Sequence, residues 1–465
     1  MSAKPKITGR GTRDWQELDS RHYLHPFTDF RALAAEGARV IVRGEGVHLV
    51  DSEGLEILDA MSGLWCVNIG YGRHELADVA ARQMRELPYY NSFFKSAHPP
   101  AIELAQLLDE LTPPQFHRVF FTQSGSEAND TILRMVRRYW ELLGHPKRSI
   151  VISRINAYHG STVAAASLGG MAAMHAQGGL PIPDIVHIEQ PYWYENGTDV
   201  SPEEYGLRAA RRLAEKIEEI EEELGPGRVA AFIGEPVQGA GGVIVPPSTY
   251  WPEIQRICRE YGILLIADEV ICGFGRTGQW FGSEYFGIEP DFMTVAKGIT
   301  SGYQPLGGAL VSDKVADVLI EKGGEFAHGF TWSGHPVCCA VAIENLNIMR
   351  REKIIERVRE EIAPYLQKRI RELEDHKLVG EVRGVGMLGA IELVAHKKSR
   401  TFFRDRGTVG LICRDHCFKN GLIMRAVRDT MILAPPLVMT KEDVDELVEK
   451  ARRCFDLTAR DIGVR

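Results

Sequence analysis

The chain has 465 residues, 44% hydrophobic and 25% charged, which are ordinary globular proportions; there is material for a large core and no basis for disorder. Fifty-five basic side chains against 63 acidic ones leave a net charge of −8, a balance that argues against nucleic acid or an anionic membrane and for a small-molecule partner. Length alone suggests three domains at roughly 150 residues each, and the 46 glycines, about a tenth of the chain against a typical ~7%, imply many tight backbone positions.

In chain order, Lys4, Lys6, Arg10 and Arg13 are not followed by an apolar run, so no signal peptide is expected. VIVRGEGVHLVDSEG at 40–54 reads as a hairpin. The first sixty residues show no core of their own and are expected to pack on a later unit. From about 115 to 312 short β-branched or aromatic runs alternate with turns and longer amphipathic segments, the signature of an α/β fold. Candidate strands are 117–122, 149–154, 229–237, 263–270, 291–296 and 307–312. Their near-continuous hydrophobicity predicts burial on both faces. Residues 155–183 contain no Asp, Glu, Lys or Arg; His159, His175, five glycines and two prolines interrupt them, which predicts a helix buried in a large protein rather than a membrane span. Leu213, Ile217, Ile220 and Leu224 recur at helical spacing and predict a helix over 207–224.

Beyond about 335 the texture changes to charged helices, around 338–374 and 440–456, with strand-like pieces at 385–393 and 431–434. The expected organisation is a large unit over 61–340 and a smaller α+β unit built from 1–60 and 341–465. The eight cysteines form no C-x-x-C pair and read as reduced cytosolic thiols. Cys413, His416 and Cys417 share a predicted helix but lack a fourth ligand, so no metal is assigned.

Four segments carry candidate chemistry. FTQSGSEAND at 121–130 runs from a strand through Ser124, Gly125 and Ser126 into a helix. Amides and hydroxyls converging at a helix N-terminus suit a phosphate, while a capping box of Ser124 with Glu127 explains the same letters; both readings stay open. Gly273, Gly275 and Gly278 match G-x-G-x-x-G, but Asp268 and Glu269 stand where a pyrophosphate would lie and no apolar helix follows, so a nicotinamide site fails on context. Lys297 is the only charged residue between Asp291 and Asp313, at the end of a predicted buried strand. Desolvation there favours the neutral amine that attacks carbonyls; a lysine reaching to the surface is the alternative. Asp268 ends the apolar run LLIAD, and strand carboxyl ends face the ligand crevice of an open α/β sheet. A lysine amine, a buried carboxylate and a helix-end phosphate cradle are together the requirements of pyridoxal 5′-phosphate, and Tyr158-His159-Gly160 supplies an aromatic face for its ring.

With those residues in hand, the sequence resembles the class III aminotransferases, fold type I pyridoxal-phosphate enzymes, and among them the omega-amino acid or amine:pyruvate transaminases. The resemblance runs from SGLWCVNIGYG at 62–72 through SGSEAND, AYHG, EPVQGAGG, ADEVICGFGRTG, AKGIT and GFTWSGHP to LIMRAV at 422–427. It implies that Lys297 carries the cofactor and shuttles the proton, and that Asp268 binds the pyridinium. Tyr158 and Val270 would cover the two ring faces, Ser124, Gly125 and Ser126 the phosphate, with His159 and Glu235 in the surrounding network. Trp65 and Phe93 would wall the amine pocket, and Arg425 would pair with the carboxylate of pyruvate. Thr331 would reach the phosphate in the other subunit, implying a homodimer; tetramer formation, the donor and the contacts of Gln238 and Ala240 stay open. The implied reaction is ping-pong amino transfer to pyruvate, giving alanine, in the cytoplasm. A racemase, aminomutase or decarboxylase of the same fold is the nearest alternative.

Overall fold

The computed structural model describes residues 9–464. At its centre lies a seven-stranded sheet in the order Arg118–Thr122, Gly307–Val311, Phe292–Val295, Leu264–Asp268, Val229–Gly234, Ile150–Arg154, Ile185–Ile188. Gly307–Val311 runs antiparallel to both neighbours and the other pairings are parallel. The five inner strands are buried on both faces, as their unbroken apolar runs require, and the two edge strands only in part. On one face Ile132, Val136 and Trp140 of the helix Gly125–Leu142 pack on Val151, Ile233 and Ile266. On the other, Leu213 and Ile217 of Pro202–Leu224 and Ile254 and Ile257 of Tyr250–Glu260 pack on Ile152, Phe232 and Leu265.

All six predicted strands of this sheet form, each shorter than expected by one to three residues in all. The edge strand Ile185–Ile188 was not anticipated. The charge-free stretch forms two short helices, Val163–Leu168 and Ala172–His175, instead of one buried helix; the interposed Gly169 and Gly170 press against backbone at 154–157, where a Cβ has no room. Among the described residues no helix is long and apolar enough to cross a membrane.

Two smaller sheets complete the chain. The predicted hairpin forms as Ile41–Glu45 and His48–Asp51, continues to Glu56–Asp59, and takes its fourth strand from Leu422–Ile423. The second sheet runs Val379–Val385, Leu388–Leu393, Thr430–Leu433, Arg425–Val427. The single piece expected at 385–393 is thus the turn and second arm of a hairpin that bends at Gly386, whose φ of 59° suits glycine. The long helix expected over 338–374 is interrupted: Pro336–Arg351 ends at Lys353, which has a φ of 51°, and Ile354–Arg357 leads through a π-helical turn into Ala363–Arg371. Cys413 and Cys417 are buried on Thr408–Lys419, while His416 pairs with Asp461 at 2.7 Å.

Candidate active site

Six of the seven strands end on one rim of the sheet, and residues at or just past the ends of five of them surround a cavity of about 420 Å³. Its lining includes Ser124, Gly125, Ser126, Tyr158, His159, Glu235, Asp268, Val270 and Lys297. Nine residues singled out in sequence therefore meet in one place, up to 173 positions apart.

The helix Gly125–Leu142 points its N-terminus at this cavity. Ser124 is its cap, the hydroxyl accepting from the Glu127 amide at 3.2 Å, and the Glu127 carboxylate accepts from the Gln123 amide at 2.8 Å. Among the described residues no acceptor takes the amides of Gly125 and Ser126. The capping and anion readings of Ser124 are thus compatible: the cap occupies one hydroxyl and leaves two donors at the positive end of the helix. A Cβ on Gly125 would come within 2.7 Å of Val270 Cγ2, so only glycine lets this turn approach that strand end.

Asp268 is 3% exposed and tightly held. Its Oδ2 accepts from Asn129 Nδ2 at 3.0 Å and lies 2.7 Å from His159 Nδ1; its Oδ1 accepts from the Val270 amide at 3.1 Å. Asn129 also donates to the His159 carbonyl at 2.7 Å and accepts from Thr294 at 2.6 Å. His159 Nε2, fully buried, has no partner among the described residues. Sequence reading missed Thr294 and gave Asn129 no role, since nothing local marks a side chain whose partner lies 139 residues away.

Lys297 follows Phe292–Val295 and has a φ of 49°, an unfavourable conformation for a non-glycine residue. Protein encloses it except where it fronts the cavity. Burial lowers its ammonium pKa from 10.5 to about 8, against the opposing pull of Asp268, Cys66 and Glu235. Burial likewise raises the Glu235 carboxyl, whose Oε1 accepts from the Tyr158 amide at 3.1 Å and Oε2 from Gly239 at 2.8 Å.

The remaining candidates lie elsewhere. Arg425, half-buried on Arg425–Val427, is close enough for its charge to act on the Lys297 amine. Trp65 is 2% exposed and packs with Val237, Val243 and Ile271 behind the cavity wall. Phe93 lines a separate cavity of about 700 Å³ with Phe326, His328 and Gly329. Thr331 is exposed, its carbonyl accepting from the Tyr89 hydroxyl at 2.8 Å. Gln238 Nε2 donates to the Ile155 carbonyl at 2.9 Å and Ala240 is buried. The glycines at 273–278 form a packing loop: Arg276, fully buried, reaches Asn68 at 2.6 Å, Ser62 and the Pro435 carbonyl.

The family model for aminotransferase class III matches residues 33–455. The chain belongs to the class III aminotransferases. A putrescine–pyruvate aminotransferase of Pseudomonas aeruginosa is 62% identical over 98% of both chains. The omega transaminase of Pseudomonas jessenii in complex with PMP superposes with a TM-score of 0.93 at 42% identity, over 97% of this chain and 99% of that one. An (S)-enantioselective omega-transaminase from Thermomicrobium roseum gives 0.93 at 44% identity, over the same shares. As a class III aminotransferase the protein uses pyridoxal 5′-phosphate, and the cavity fits it: two unpartnered helix-end amides suit a phosphate, a fixed buried carboxylate suits a pyridinium, and an amine of lowered pKa stands in the same wall.

Proposed function

We propose that this aminotransferase moves an amino group from an omega-amino acid or amine to pyruvate, releasing alanine in the second of two half-reactions. The convergence of Lys297, Asp268 and the helix-end amides on one cavity carries this reading, supported by the 62% identity to a putrescine–pyruvate aminotransferase. Putrescine is accordingly the first donor to test.

When bound, pyridoxal phosphate supplies an electron sink next to the reacting carbon. Asp268 would hold a proton on the ring nitrogen, and the Asn129 and His159 contacts keep its carboxylate from turning away. Gly125 and Ser126 would hold the phosphate with Ser124, and Tyr158 and Val270 would confine the ring. Glu235 fixes the Tyr158 backbone. Lys297, neutral above about pH 8, is suited to carry the cofactor and, once displaced by substrate, would take the proton from the donor carbon and deliver it to the cofactor's imine carbon on the same face. Arg425 would grip the acceptor carboxylate with its planar fork.

The proposed assembly is a homodimer, in which Trp65 and Phe93 wall the amine pocket and Thr331 serves the partner's phosphate. Phe94 and Trp332, 89% and 50% exposed beside the Phe93 cavity, support this. Residues 61–340 would be the cofactor unit, with 1–60 and 341–465 forming the smaller one; all eight cysteines are free, as suits the cytoplasm. The test is alanine formation from pyruvate with a donor panel headed by putrescine. One alanine per donor consumed, ping-pong kinetics and loss of turnover in Lys297→Ala are expected. Product formation without alanine would assign a different reaction to the site.

A further inference from the structure

The second small sheet buries a charged cluster that the reaction as proposed does not use. Arg383 projects from Val379–Val385 with its side chain only 9% exposed. Its Nη1 donates to Glu381 at 2.7 Å, to the Tyr192 hydroxyl at 2.7 Å and to Glu392 at 3.3 Å. Glu392 also accepts from Tyr192 at 2.8 Å and Thr430 at 2.6 Å, so the guanidinium is fixed on one side by charge and hydrogen bonds.

The other side of the fork grips backbone. Nε donates to the Val243 carbonyl at 3.0 Å and Nη2 to the Gly242 carbonyl at 2.6 Å. These residues form the tip of the loop between Gln238 and Ile244, whose backbones pair with each other. Val243 has a φ of 50°, an outlier for a β-branched residue, sustained only where surrounding contacts over-determine it. At its base, the Gly239 amide donates to Glu235, whose other oxygen holds the Tyr158 amide. A Cβ on Gly239 would fall 2.5 Å from Ile271 Cδ1, in the cavity wall.

We infer that Arg383 is a positioning residue for the cofactor ring: by clamping the 242–243 carbonyls it sets the loop that fixes Glu235, and through Glu235 the backbone of Tyr158 at the ring face. Three properties of arginine are used together. The planar fork offers parallel donors to two adjacent carbonyls, a permanent charge offsets the buried Glu392 and the half-buried Glu381, and the guanidinium carbon lies 4.5 Å from the Tyr192 ring centroid. A lysine retains the charge and lacks the fork. The clamp joins a sheet built from residues 379–433 to the rim of the main sheet, and Arg425 lies on the edge strand of that same small sheet. Through one rigid element, then, the ring face and the proposed acceptor arginine are kept in register.

The link from Tyr158 to a ring rests on the proposed function; the clamp does not, so the test begins with the cofactor-free full chain. Amide hydrogen exchange is compared in wild type, Arg383→Lys and Arg383→Met. Expected is at least about tenfold faster exchange over 238–244 and around Tyr158 in both variants, with Leu264–Asp268 unchanged, since losing charge-assisted bonds to two carbonyls exceeds a tenfold effect. The loaded variants should then bind pyridoxal phosphate about tenfold more weakly and shift its visible absorbance or circular dichroism. Unchanged loop exchange, or acceleration spread equally through the central strands, overturns the inference; if Arg383→Met does not fold, Arg383→Lys decides alone. Faster loop exchange in a chain that never binds the cofactor would leave the clamp standing and reject the ring assignment.

Discussion

A lysine that works as a neutral amine has to be held where its charged form is disfavoured, and Lys297 shows the cost. Its pKa is lowered from 10.5 to about 8, so between those values the unfolded chain binds more protons than the folded one and stability rises with pH. Below about pH 8 the full penalty is present. Lys297→Met should therefore stabilise the cofactor-free protein at pH 7 by about 1–3 kcal/mol, discounted for the face open to the cavity, and the gain should fade by about pH 10; denaturant midpoints at the two pH values check it. Arg425 belongs to the same scale. If it grips the acceptor carboxylate, Arg425→Ala lowers kcat/KM for pyruvate by about 10- to 100-fold, the value of a charge-assisted pair, with less than about threefold change for a simple aldehyde acceptor. Equal losses for both acceptors would show that the arginine shapes the pocket and does not bind the carboxylate. Lys297 was legible in sequence because it interrupts an otherwise apolar setting, whereas Arg425 emerged only through the family resemblance. Asn129 and Thr294 were not legible, since a polar residue that satisfies a distant partner looks locally like any other.

At the scale of elements, the site is made by turns that press backbone against a helix end. The segment Tyr158-His159-Gly160 leaves Ile150–Arg154 and docks on Gly125–Leu142, with the Ser161 amide donating to Ser126 Oγ at 3.0 Å and Thr162 donating to Asp130 at 2.7 Å. Gly160 has a φ of 139°, and a Cβ there would lie 2.5 Å from Ser126 Oγ and 2.7 Å from Ser126 Cα. Because the second contact is backbone, no side-chain rotation relieves it. Gly160→Ala should lower pyridoxal phosphate affinity about tenfold or more and cost about 1–3 kcal/mol, as overpacking does. Gly144→Ala, also at positive φ but with open space around it, should cost about 1 kcal/mol with no change in affinity. Titration of both variants distinguishes a site effect from a general one. The elements of the main sheet were readable from apolar runs; the hairpin Val379–Val385 and Leu388–Leu393 was only half readable. Glu381 and Arg383 break its hydrophobic pattern, and they are polar because they pair with each other and with Glu392 inside the fold. Ile185–Ile188, four residues next to Pro181 and Pro183, is too short to carry a pattern at all.

For the whole molecule, the described residues form one central sheet and two small sheets, and the N-terminal one is closed by Leu422–Ile423. In the proposed homodimer a single chain does not complete the site. Trp65 stands behind the cavity wall, Phe93 faces another cavity, and Thr331 is exposed next to Trp332. If Thr331 serves the partner's phosphate, two differently damaged chains should repair one another. Lys297→Ala lacks the amine but keeps Thr331; Thr331→Asp keeps the amine but places a negative charge where a phosphate should sit. Each homodimer should be inactive. In a mixed dimer, the chain retaining Lys297 receives an intact Thr331 from its partner, so one of the two sites works. Random exchange makes half the dimers mixed, and the mixture should recover about a quarter of wild-type activity. Were Thr331 to act within its own chain, the mixture would stay inactive, because every amine would then face its own aspartate. Native mass spectrometry, which separates the mixed dimer from both homodimers by mass, shows whether exchange occurred, which makes a silent result decisive against the shared site.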